Sequence, residues 1–169
     1  MTEAQKKRLE QQLWAIANEL RGKMDADEFR DYILGFIFFK YLSEKQYLHA
    51  NELLINETVK DYASLTDADD IEAIREDSLE NLGYFLRPDE LFTTISQKGN
   101  APQEGESNFI LEDLQAVLNN IEQSTMGTDS EEDFNKLFED IDLNSTKLGR
   151  TPDARNQLIA KVLSHLDGI

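Results

Sequence analysis

The sequence predicts an all-α fold, a single bundle-like globular domain of about seven helices spanning residues 1–169. Three observations predict it. Apolar residues recur three and four apart in most segments, the period of one helix face. Capping residues such as Asp25 and Thr151 stand where those segments begin. No convincing apolar–polar alternation appears, and Tyr84–Leu86 and Asn108–Ile110 leave room only for a very short β ribbon.

The elements follow in order. Leu9, Leu13, Ile16 and Leu20 mark a first helix over about residues 3 to 21, with Trp14 and Ala17 widening its stripe and Gly22 placed for a left-handed cap. Asp25 with Glu28 has the spacing of a capping box, so a second helix starts there and runs to about Lys45, or through Leu54 because nothing before Asn56 breaks it. Phe36, Ile37, Phe38, Phe39 and Tyr41 cover most of its circumference, so this helix has to be buried on several sides. Thr66 or Asp67 caps a short helix with Ile71 and Ile74, and Ser78 caps a further turn with Leu79 and Leu82. Pro88, followed by Asp89 and Glu90, begins a helix ending near Lys98. Gly99 to Asn108 reads as a surface loop. Leu111, Leu114, Leu118 and Ile121 mark another helix, and Phe134, Leu137, Phe138 and Ile141 the next. Thr151-Pro152 opens the last, which carries Leu158, Ile159, Val162, Leu163 and Leu166 and closes at Gly168.

Composition narrows the function. The chain has 17 Lys plus Arg against 34 Asp plus Glu, a formal net charge of −17, so its average field repels phosphate backbones and any nucleic-acid contact has to be local. No cysteine occurs, which removes disulfides, thiolate metal sites and cysteine nucleophiles and fits a cytoplasmic setting. The longest apolar run, Tyr32 to Phe39, is far short of the roughly 20 residues a membrane helix needs.

The residues carry no recognisable catalytic constellation. No two of the eight glycines have phosphate-loop spacing. His49 and His165 are the only histidines, too few for a zinc site built on nitrogen and sulfur. Asp140-Ile141-Asp142-Leu143-Asn144 resembles the start of a calcium loop, but Ser145 stands where glycine is needed and Thr151 where a bidentate glutamate is needed. Asp27 and Asp31 are read as partners of Arg30, Lys23 or another chain. No catalytic, cofactor or metal residue is assigned.

One feature opposes the acidic average. Lys6, Lys7, Arg8, Arg21 and Lys23 crowd the first 23 residues, and Lys7 and Arg21, close to four helical turns apart, can share a face that meets phosphates. The bland reading is a solvated surface with ion pairs to Glu3, Glu10 and Glu19. The predicted core comprises Leu13, Trp14, Leu20, Phe29, Ile33, Phe36, Ile37 and Tyr41.

Leu13-Trp14, Leu20-Arg21-Gly22 and the stretch from Glu28 to Ser43 resemble the N-terminal helical domain of HsdM, the modification subunit of type I restriction-modification systems. Further matches are Leu82-Gly83-Tyr84-Phe85 with Pro88 and Leu91, then Phe138 to Asp142, Leu148-Gly149, and Arg155-Asn156 with Leu158. Asn18 departs where an acid is expected, and Phe29 where tyrosine is usual. The resemblance implies a parent enzyme that binds S-adenosylmethionine and methylates adenine at N6 through a separate α/β domain. That domain's Asn-Pro-Pro-aromatic motif is not in this sequence, since Pro88, Pro102 and Pro152 are isolated. The chain is therefore expected to be a non-catalytic fragment, with no cofactor of its own, that docks and clamps. The partners implied are the specificity subunit HsdS, a second HsdM subunit, the restriction subunit, and DNA in the assembled complex. Two rival readings are an acidic interaction or DNA-mimic module, and a small hydrolase using paired carboxylates.

Overall fold

The computed structural model describes residues 2–101, 108–135 and 137–167. Among the described residues seven α-helices follow one another: α1 Glu3–Leu20, α2 Ala26–Leu53, α3 Ala68–Asn81, α4 Phe92–Asn100, α5 Leu111–Ser124, α6 Glu131–Phe134 and α7 Pro152–Asp167. Short 3-10 turns occur at Tyr62–Ser64 and Pro88–Glu90. Among the described residues there is no strand, so the fold is all-α.

The caps are local chemistry. A reciprocal capping box closes the start of α1, with Thr2 Oγ1 accepting from Gln5 N and Gln5 Oε1 accepting from Thr2 N. At α2 only half of the expected box forms. Asp25 accepts from Glu28 N at 2.9 Å, while the Glu28 carboxylate turns to Lys147. The Arg21-Gly22 turn uses φ +79 at Gly22, a backbone region that costs glycine little.

α2 is the spine, about 42 Å long at 1.5 Å per residue. Its first half joins α1, α4, α5, α7 and the 138–148 segment in the larger core, which includes Leu20, Ile33, Phe36 and Phe39. Its second half contributes Ala50 and Leu54 to a smaller core with Tyr62, Leu65, Ile74, Phe85 and Leu91. α7 packs on α4, α1 and α2, closing the larger core. Leu13, Phe29 and Ile37 lie partly buried at its edge.

Several expectations are corrected. Trp14 is 65% exposed and Tyr41 56% exposed, so neither is a core residue. Each follows a fully buried residue or precedes one by two positions (Ile16 and Phe39), and two steps of 100° carry a side chain to the opposite face. Ser78 does not cap a separate turn. It lies inside α3, buried, and accepts from Gln46 Nε2 at 2.9 Å, while Asp67 caps the whole helix. The helix expected from Pro88 is interrupted at Leu91, because Ser43 Oγ on α2 takes the Phe92 N–H at 2.7 Å and α4 starts afresh. The helix expected through Ile141 ends at Phe134. Glu122 on α5 captures Phe138 N at 3.2 Å, so Phe138 and Ile141 reach the core from turns. Gly99 and Asn100 belong to α4 and Ala101 follows its end, while residues 102–107 of the predicted loop lie outside the described residues, as does Gly168.

The short apolar runs form no ribbon because side chains hold their backbone donors. Gln46 Oε1 accepts from Leu86 N and Ser124 Oγ from Phe85 N. Asn156 accepts from Ile110 N and donates to Asn108 O.

Candidate nucleic-acid interface

Lys6, Lys7 and Arg8 sit in the first two turns of α1, and Arg21 and Lys23 in the turn that follows its last residue; all five are exposed. They do not form one patch. Fourteen residues separate Lys7 from Arg21, about 21 Å along the axis. Lys7 and Arg21 therefore mark the two ends of one helix face, with Lys6 and Arg8 about 100° to either side of Lys7.

The acids expected to neutralise them do not. Among the described residues none of the five forms an ion pair, and Glu19 instead faces α7, 4.0 Å from Lys161 Nζ and 3.8 Å from His165 Nε2. Elsewhere the acids do hold the bases, as at Arg30, 3.6 Å from both Asp27 and Asp31. The positive end charges of α1 are left to solvent on a chain of net charge −17.

Between those ends runs a solvent-facing row that the sequence reading missed. Lys7, Gln11, Trp14, Asn18 and Arg21 follow one another four, three, four and three residues apart, and all are exposed. The signal was present in the sequence as the seven-residue step from Lys7 to Trp14 to Arg21. Cations at the ends, amides between them and one broad aromatic ring in the middle can contact phosphates, donate to or accept from polar edges, and stack. The row includes no nucleophile or general base.

Two other groups singled out in the sequence make structural contacts. His49 Nε2 lies 2.6 Å from Asp77 Oδ1, joining α2 to α3. In the calcium-like stretch, Ile141 and Leu143 are buried, Asp142 Oδ1 accepts from Asn144 N at 2.9 Å, and the Asp142 carbonyl accepts the Tyr32 hydroxyl. Burial pushes the Tyr32 hydroxyl up to about 12. Among the described residues no group of three His, Asp or Glu is placed to hold a metal, and no helix is long and apolar enough to cross a membrane.

The geometry defines an all-α domain with a row of exposed polar and cationic side chains on its first helix. The chain belongs to the HsdM N-terminal domain family, which matches residues 9–166. It is 31% identical over 169 residues to the type I restriction enzyme MpnII methylase subunit of Mycoplasma pneumoniae, covering 96% of this chain and 30% of that protein. It also resembles the crystal structure of a type I restriction-modification system methyltransferase subunit from Streptococcus thermophilus, at TM-score 0.75 and 34% identity over 93% of this chain and 32% of that one. The chain thus spans less than a third of the length of these relatives.

Proposed function

We propose that this domain is a non-catalytic docking and DNA-clamping module of a type I modification subunit. In this reading, S-adenosylmethionine-dependent transfer to adenine N6 is performed by sequence corresponding to the other two thirds of its relatives. The specificity subunit, a second modification subunit and the restriction subunit are its partners in the assembly. The observation that carries the DNA part is the unneutralised row on α1 on an otherwise acidic surface.

In this reading the described residues form no S-adenosylmethionine site. A depression of about 710 Å³ beside α5 and α6 is open and lined by Glu122, Asp129, Glu131 and Glu132, with Met126 as its one large apolar side chain. Small-molecule sites are enclosed and mostly apolar. Isothermal titration of S-adenosylmethionine into the chain is expected to give no saturable heat, and a micromolar site would overturn the non-catalytic assignment.

DNA binding is expected to be weak, because the net field opposes it, and steeply salt-dependent. With five cations engaged, log K falls against log salt with a slope of about −4.5. Lys7→Ala or Arg21→Ala shallows that slope by about one, while Trp14→Ala weakens binding at unchanged slope. Fluorescence anisotropy with a labelled duplex at low salt reads all three. Binding that persists at physiological salt, or that ignores the α1 variants, would sink the reading.

A further inference from the structure

Two depressions lie along α5, and they meet at one residue. The one of about 710 Å³ beside α6 is lined by Asn119 and Gln123, and a second, of about 550 Å³, by Gln115 and the same Asn119. Together they make one open groove along α5, a helix about 21 Å long. The row on α1 shares no residue with it.

The groove is graded from end to end. Near the start of α5, Phe109, Leu111 and Leu143 supply apolar surface, and Arg155 and Glu112 offset one another in charge. Near the end of α5 stand Glu122, Asp129, Glu131 and Glu132, and the ion pairs among the described residues involve none of the four. Glu122 and Glu131 each accept a backbone N–H, of Phe138 and of Gly127, through one oxygen only. Between the ends runs a ladder of side-chain amides, Gln115, Asn119 and Gln123, each four residues from the next. Gln115 Nε2 donates to Asn119 Oδ1 at 3.3 Å, which leaves Gln115 Oε1, Asn119 Nδ2 and the Gln123 amide without partners among the described residues.

A side-chain amide both donates and accepts, and so matches the N–H and C=O of a bare backbone. Helix positions four apart advance about 6 Å, and an extended chain advances about 6.6–6.8 Å every two residues, so three amides keep step with alternate residues of one strand. We propose that the groove binds an extended basic segment of a partner protein. The segment's backbone lies on the amide ladder, its lysine or arginine side chains reach the carboxylates beside α6, and an apolar side chain fills the Phe109 end. Charge selects this occupant. Four carboxylates attract ammonium and guanidinium groups and repel phosphate, which sets a single-stranded nucleic acid against the field. The openness that unfits the groove for a small cofactor suits a chain whose ends run on into solvent, with main-chain bonds giving affinity and the two ends giving selectivity.

The inference does not rest on the DNA reading, and its test uses no duplex. The probe is a fluorescein-labelled hexapeptide, about 20 Å when extended, with a leucine at one end, threonines between and two lysines at the other. It is made in both chain directions, because the amides accept either. Anisotropy with the 169-residue chain is expected to show saturable binding of at least one direction, with Kd on the order of 100 µM. Glutamates in place of the lysines weaken binding at least about tenfold, and Asp129→Lys with Glu132→Lys reverses that preference. Asn119→Leu and Gln123→Leu, at exposed positions, each weaken the lysine peptide about fivefold, the worth of one hydrogen bond, at unchanged circular dichroism. The side-chain amide resonances of Gln115, Asn119 and Gln123 shift during the titration. Absence of saturation up to roughly 5 mM, equal binding of the lysine and glutamate peptides, amide variants that bind as the parent does, or tighter binding of a thymidine hexanucleotide overturns the inference.

Discussion

Replacing Phe39 with alanine lowers the stability of the chain by about 3–5 kcal/mol, the cost of losing a fully buried phenyl ring and leaving a cavity behind it. Phe39 has no exposed surface. Its ring lies 5.3 Å from that of Phe92 at an interplanar angle of 60°, so it fastens the spine helix to the start of α4. The same α4 terminus is held by the Ser43–Phe92 hydrogen bond one turn further along α2. A cavity at Phe39 therefore loosens α4, and with it the surface on which α7 closes the larger core. Tyr41→Ala, two residues on but facing solvent, is expected to cost under about 1 kcal/mol in the monomer. Urea unfolding of both variants measures the contrast. Equal losses at the two positions would mean that α2 is rotated from the phase described.

That contrast also marks how far the sequence could be read. Helix existence followed from three-and-four spacing, and α1, α2, α5 and α7 lie where it put them. The phase of an amphipathic helix is legible only when its apolar stripe is narrow. In α2, with apolar residues nearly all round, Phe36 and Tyr41 look alike in sequence, and only the packing of α4 and α7 decides that one is buried and the other exposed. In α1, the adjacency of Leu13 and Trp14 suggested a widened stripe, whereas Trp14 belongs to the cationic row.

The missed boundaries share another cause. Helices were expected to run through Leu91 and from Phe134 to Ile141, and local propensity allows both. Each is broken by a side chain far away in sequence, Ser43 for Phe92 N and Glu122 for Phe138 N. Such captures cannot be read from a local window, since the acceptor is supplied by tertiary structure. The candidate interface was half legible. Its five basic residues were picked out by their clustering in the first 23 positions, but the exposed aromatic between them required knowing which way α1 faces.

Raising the pH from 10 towards 12 is expected to unfold the chain cooperatively, with the buried tyrosines as the cause. Tyr32, Tyr62 and Tyr84 are each buried and each donates its hydroxyl to a backbone carbonyl, of Asp142, of Leu86 at 2.5 Å and of Leu42 at 2.7 Å. These bonds tie α2 to the 138–148 segment and the Tyr62 turn and α2 to the 84–86 strap. Burial raises all three hydroxyls above their ordinary value of 10.0, Tyr32 to about 12 and the other two further; nearby carboxylates, Asp142 for Tyr32 and Glu90 for Tyr62, add to the rise. A phenolate could not donate, and would lie against a carbonyl oxygen in a buried site. Below pH 10 both folded and unfolded chains keep these protons, so the stabilisation is whole. Above it the unfolded chain releases protons that the folded chain retains, and stability falls as pH rises. Each tyrosine removes about 1.4 kcal/mol per pH unit in that window. Three together remove up to about 8 kcal/mol over the two pH units from 10 to 12, enough to exhaust a stability in the lower half of the usual range of about 5–15 kcal/mol. Helix content by circular dichroism and tyrosinate absorbance should then change together in one transition. Tyrosinate signal from all five tyrosines appearing while the helices remain intact would show that these hydroxyls are not the buried donors described here.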